Sequence, residues 1–151
     1  MATSIQTDIY CASCPDLLLH LPARPRILLV DDSPELLDVV CAVLQSQYEI
    51  DVIGQAEDGQ AALELVPTLC PDLIIMDVHM PNMDGLLAAS IISTQYPAVS
   101  VVLMSGDDSP ELRSQASRCG AKTFIFKPKF NAGIAEVLGI HRRKIQIPPN
   151  A

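Results

Sequence analysis

The stretch Ile27-Leu28-Leu29-Val30-Asp31-Asp32 carries four consecutive apolar residues straight into two adjacent carboxylates. A run that short has strand length, and its lack of alternation marks a strand covered on both faces. Working outward, further short strand-length runs occupy residues 52–56, 73–76, 99–104 and 123–126, of which 73–76 and 99–104 are, like the first, nearly continuous in apolar residues. With residues 27–30 they make five predicted strands, and longer segments with helical period lie between them. That alternation is the pattern of βα units laid around a parallel sheet, an α/β fold.

The helical segments announce their own starts. Ser33-Pro34-Glu35 and Ser109-Pro110-Glu111 each set a capping hydroxyl before a proline at the first helical position. Leu36, Leu37, Val40, Val43 and Leu44 then form one apolar stripe. Asp58-Gly59 and Asp84-Gly85 are turn-like pairs that open the second and third helices, and Pro67 is expected to end the second early. Residues 131–138 are expected to form a short last helix, weakened by Gly133 within it and Gly139 after it.

A chain of 151 residues, 49% of them apolar, is enough for one domain with one core. Its parts are expected to be an extension at 1–25 without assigned fold, a domain at 26–140 and a tail or linker at 141–151. A net charge of -8 repels a phosphate backbone, so direct nucleic-acid binding is not expected. No apolar run reaches the ~20 residues that cross a bilayer, and no signal peptide opens the chain, so a cytoplasmic address is expected. Cys11 and Cys14, with His20 nearby, supply only half of a zinc pattern, so no zinc site is expected there. The run His141-Arg142-Arg143-Lys144 is expected to be a solvated end.

Right-handed crossovers bring the C-terminal ends of parallel strands to one edge, where such doubly wound sheets bind ligands. Asp31 and Asp32 follow the first strand, Asp77 the third, Ser105 the fourth and Lys127 the fifth. Three carboxylates in one cleft repel one another unless a cation shares the site or one acid keeps its proton. A hard divalent cation, Mg²⁺ or Mn²⁺, is the simpler answer, with room left for phosphate oxygens. Lys127 and Ser105 then offer positive charge and a donor to a transferring phosphoryl group, and Asp77 is left as its nucleophile.

Those residues sit in five ordered motifs: ILLVDD (27–32), DLIIMD (72–77), MPNMDG (80–85), LMSG (103–106) and FKP (126–128). Their key positions are 45, 28 and 22 residues apart, from 32 to 77 to 105 to 127. From about residue 26 to 140 the chain resembles the receiver domains of bacterial response regulators, the CheY-like family. The resemblance implies a flavodoxin-like five-stranded parallel sheet of order 2-1-3-4-5 in three layers, α/β/α. It also implies that Asp77 becomes an acyl phosphate, receiving the group from a sensor histidine kinase or phosphotransfer protein. Asp32 would bind the metal directly, Asp31 through water, and His79 through its backbone carbonyl. Ser105 and Phe124 would be the switch and Lys127 the salt-bridging partner, with phenylalanine standing where tyrosine is frequent.

The implied function is a phosphorelay receiver that catalyses only its own phosphorylation and dephosphorylation. Its signal would pass to a downstream protein or output domain through the face of helix four, strand five and helix five. Two alternatives accompany that reading. One is the input half of a truncated DNA-binding transcriptional regulator, because residues 49–65 resemble receivers of regulators with helix-turn-helix outputs. The other is a phosphate-independent binding module, against which the five intact positions argue. A dehalogenase-like phosphatase would need its nucleophile in the first strand within a DxD pattern, which Asp31-Asp32-Ser33 does not supply.

Overall fold

The computed structural model describes residues 21–142. In chain order the elements are β1 (Arg26–Val30), α1 (Pro34–Gln47), β2 (Asp51–Ala56), α2 (Gly59–Leu69), β3 (Leu73–Asp77), α3 (Gly85–Gln95), β4 (Ser100–Ser105), α4 (Pro110–Arg118), β5 (Thr123–Phe126) and α5 (Phe130–Leu138). Single 3₁₀ turns at Lys127–Lys129 and Gly139–His141 flank α5. Residues 1–20, which hold Cys11, Cys14 and His20, and residues 143–151 of the expected tail lie outside the described residues.

The five strands are parallel and ordered β2-β1-β3-β4-β5, as the resemblance implies. Period-2 geometry divides their side chains between two cores. Leu28, Val30, Ile74, Met76, Val101 and Leu103 face α2, α3 and α4. Ile27, Leu29, Leu73, Ile75, Val102 and Met104 face α1 and α5. The continuous apolar runs of β1, β3 and β4 are therefore buried on both sides, each large side chain contributing about 1.5–3 kcal/mol. The edge strand β2 slips its register against β1 between Ile27 and Leu28, which lets Ala56 pair with Val30 at the functional edge.

The caps fall where the sequence places them. Ser33 accepts from the Leu36 amide and Ser109 from that of Leu112, each with proline at the start of the helix. Asp58 and Asp84 accept from Ala61 and Leu87 in the same way. Two expectations are corrected. Pro67 does not end α2, which runs on to Leu69. A proline so near the C-terminus removes one backbone donor, and the true stop is Cys70, whose φ of 50° and ψ of 59° form a left-handed cap. Nor is His141 a solvated end: it is buried, its carbonyl accepts from the Glu49 amide at 2.7 Å, and Arg142 pairs with Tyr48 in an antiparallel bridge.

Candidate functional site

Each acid reaches the site because a strand ends beneath it. At the end of β1, Asp31 is held by its own amide, which donates to Ala56 O at 3.0 Å, and its Oδ1 accepts from Ser33 N at 3.0 Å. Asp77 is the last residue of β3, with Met104 of β4 beside it. Tight turns then free the ground above these acids. The Gly85 amide donates to Val78 O, and a Cβ at Gly85 would lie 2.2 Å from the Asp77 carbonyl oxygen. Only glycine permits so close a return of the chain. Asn82, at φ 63°, turns the same loop and donates through Nδ2 to Asp58 Oδ2 at 2.7 Å, tying it to the start of α2.

Carboxylate oxygens of Asp31, Asp32 and Asp77 all lie within 4.8 Å of one another. Asp31 and Asp77 are buried, whereas Asp32 is exposed at the mouth. Lys127 Nζ closes the group from the end of β5, 2.9 Å from Asp31 Oδ2 and 3.1 Å from Asp77 Oδ2. Burial pushes the Asp77 carboxyl above its ordinary value, outweighing the Lys127 hydrogen bond and charge, and the neighbouring Asp31 charge adds to the rise. Burial alone would lower the Lys127 ammonium, but its hydrogen bonds to Asp31 and Asp77 prevail and raise it. The ammonium is therefore locked in its charged form, and Asp77 is the acid under electrostatic stress.

Of the other expected residues, His79 touches this cluster. His79 is exposed, and its backbone amide donates to the Asp77 carboxylate. Ser105, wholly buried at the end of β4, accepts through Oγ from the Asp107 amide at 3.0 Å. Phe124 packs partly buried on the α4 side of β5, with the Arg113 guanidinium 4.9 Å above its ring. Sequence reading passed over Arg113, the Asp58–Asn82 tie and the role of Gly85. The Asp84-Gly85 pair was a visible signal for a turn, but the approach of backbone to backbone leaves no mark in one sequence.

Three clustered carboxylates with one lysine at the C-terminal edge of a 2-1-3-4-5 sheet can bind a hard cation and a phosphoryl group together. Residues 27–138 match the family described as the response regulator receiver domain. The chain belongs to that family. Among similar proteins, a protein-glutamate methylesterase/protein-glutamine glutaminase of Methanospirillum hungatei is 41% identical over 106 residues, 68% of this chain and 30% of that protein. The probable transcriptional regulatory protein NarL of Mycobacterium tuberculosis is 32% identical over 117 residues, 78% of this chain and 54% of NarL. The receiver thus spans about a third to a half of the length of these relatives. In a solved CheX-CheY-BeF3-Mg complex from Borrelia burgdorferi, one chain superposes with a TM-score of 0.71 at 27% identity, over 80% of this chain and 90% of that chain. No helix among the described residues is long and apolar enough to cross a membrane.

Proposed function

We propose that this receiver takes a phosphoryl group onto Asp77 from a phosphohistidine of a sensor kinase or phosphotransfer protein, and changes shape in response. The observation that carries the reading is the Asp77 carboxylate, set between Lys127 at 3.1 Å and the acids Asp31 and Asp32. An oxygen of Asp77 attacks phosphorus, the bond from phosphorus to the donor nitrogen breaks, and the histidine leaves with that electron pair. Lys127 places fixed positive charge where the phosphoryl oxygens gather charge, which needs no reorganisation at the moment of transfer. Ser105 keeps a hydroxyl proton to donate to one of those oxygens, because its only described bond uses the oxygen as acceptor.

The donor set is all hard oxygen, so it suits Mg²⁺ or Mn²⁺, held by Asp31, Asp32 and Asp77 with the His79 backbone carbonyl. When bound, that ion neutralises the crowded acids and shares the charge of the phosphoryl oxygens. Phosphorylation then draws on Ser105 and Phe124 as the switch, and the surface of α4, β5 and α5 carries the signal to a protein partner. A second reading, a receiver serving as the input to a DNA-binding output, draws support from the 32% identity to NarL.

The test is incubation of the protein with Mg²⁺ and a small phosphodonor, scored by intact mass, in wild type and Asp77→Asn. Uptake of one phosphoryl group only in wild type and only with Mg²⁺ is the expected result. No uptake by a folded wild type overturns the reading and favours a phosphate-independent binding module.

A further inference from the structure

We infer that Arg113 is a positioning residue that sets the threshold of this switch, by holding the β4–α4 loop and the Phe124 ring in one arrangement; the inference rests on the phosphoacceptor reading above. Arg113 makes two contacts at once. Its Nε pairs with the Asp108 carboxylate, and its guanidinium lies over the Phe124 ring at 4.9 Å. One contact belongs to the loop that leaves Ser105, the other to β5 three residues before Lys127.

That loop is bonded link by link to the site. The Asp107 amide donates to Ser105 Oγ at 3.0 Å, the Ser109 amide to Asp107 Oδ1 at 2.9 Å, and the Leu112 amide to Ser109 Oγ at 3.2 Å. Arg113 is the next residue after Leu112. A rotation of Ser105 toward a phosphoryl group on Asp77 disturbs the first link, and the strain passes through the cap of α4 to Arg113. The same guanidinium weighs on Phe124, so the ring cannot move without giving up its cation contact. An arginine is suited to this double role because its planar fork stacks on a ring while an edge nitrogen pairs with a carboxylate.

Both groups of the ion pair are about half exposed, so the pair is a weak tether that salt loosens. A cation over an aromatic face at such a site corresponds to a bias of about two- to five-fold in a two-state equilibrium. A contact made in the present arrangement opposes departure from it. Removing Arg113 therefore favours the phosphorylated form.

The experiment is a titration of the full chain with beryllofluoride and Mg²⁺, with folding of every variant checked by circular dichroism. Arg113→Ala is expected to bind about two- to five-fold more tightly than wild type. Arg113→Lys, which keeps charge without the planar fork, is expected to recover only part of the wild-type threshold. In a Phe124→Leu background, Arg113→Ala is expected to lose most of its effect, which a merely structural arginine would not do. Unchanged or weaker binding in Arg113→Ala, or an equal gain without the ring, overturns the inference while leaving the phosphoacceptor reading intact. A wild type that binds no beryllofluoride overturns that reading first, and this inference with it.

Discussion

At the scale of single residues, the site is a contest for two carboxylates. Lys127 occupies Asp31 and Asp77 with one ammonium, and a divalent cation held by the cluster would share those same acids. Under the proposed function the lysine serves phosphoryl transfer while competing with metal binding. Lys127→Met removes both effects and keeps the aliphatic stem. The expected outcome is tighter Mg²⁺ binding together with uptake from a small phosphodonor slowed about 10²- to 10³-fold, the usual loss when a preset charge donor is removed. Magnesium titration and single-turnover uptake measure the two arms separately. Weaker Mg²⁺ binding in the variant would show that the lysine orders the acids instead of competing for them.

At the scale of elements, α5 shows where local propensity and packing disagree. Glycine within a helix costs about 1 kcal/mol relative to alanine, so the sequence alone makes Gly133 a weakness. The structure supplies the reason for it: a Cβ there would stand 2.9 Å from two side-chain carbons of Ile125 in β5. Overpacking a core usually costs about 1–3 kcal/mol, more than the propensity gain. Gly133→Ala is therefore expected to lower stability by up to about 2 kcal/mol, and Ile125→Val in the same chain to restore part of it. Equilibrium urea unfolding of the single and double variants decides the matter; a stabilised single variant would mean that β5 and α5 move apart freely.

The same contrast explains what was legible in the chain. Strands and caps are written in local patterns, so the five runs and the Ser33, Asp58, Asp84 and Ser109 starts could be read directly. Four site residues could be read as well, because a parallel sheet sends the residues after its strands to one edge. Close approaches across the fold could not, and that is why Gly85, Gly133 and the seat of His141 were hidden. Pro67 misled for a related reason: proline's penalty depends on how much helix follows it, and only two residues do.

At the scale of the whole molecule, charge is divided along the chain. No lysine or arginine occurs between Ile27 and Leu112, a stretch that holds every acid of the site. Positive partners arrive from outside it, as Arg24 meets Asp51, Arg113 meets Asp108 and Lys127 meets Asp31 and Asp77. Completing the fold therefore brings Lys127 to the cleft, where its single positive charge offsets part of the charge of three carboxylates. The two ends of the described chain also meet on His141, which is buried against the Ala23 backbone and carries an Nε2 without a hydrogen-bond partner among the described residues. Burial lowers this imidazole below its ordinary 6.5, and the bond to Ala23 offsets only part of that. A depressed folded-state pKa means the unfolded chain takes up the proton first as pH falls. The stability that the neutral ring contributes is complete above about pH 6.5 and is lost as the pH drops from there through the lower folded value. Urea unfolding from pH 8 to pH 5 should show wild-type stability declining below that point, and His141→Leu should flatten the decline. Unperturbed carboxylates titrate near 4, outside this window. Asp77, whose carboxyl is raised by burial, works in the opposite sense, adding stability as the pH falls, so it cannot produce the decline. An identical slope in the variant would place the responsible proton on another group and remove His141 as the pH-sensitive link between the ends.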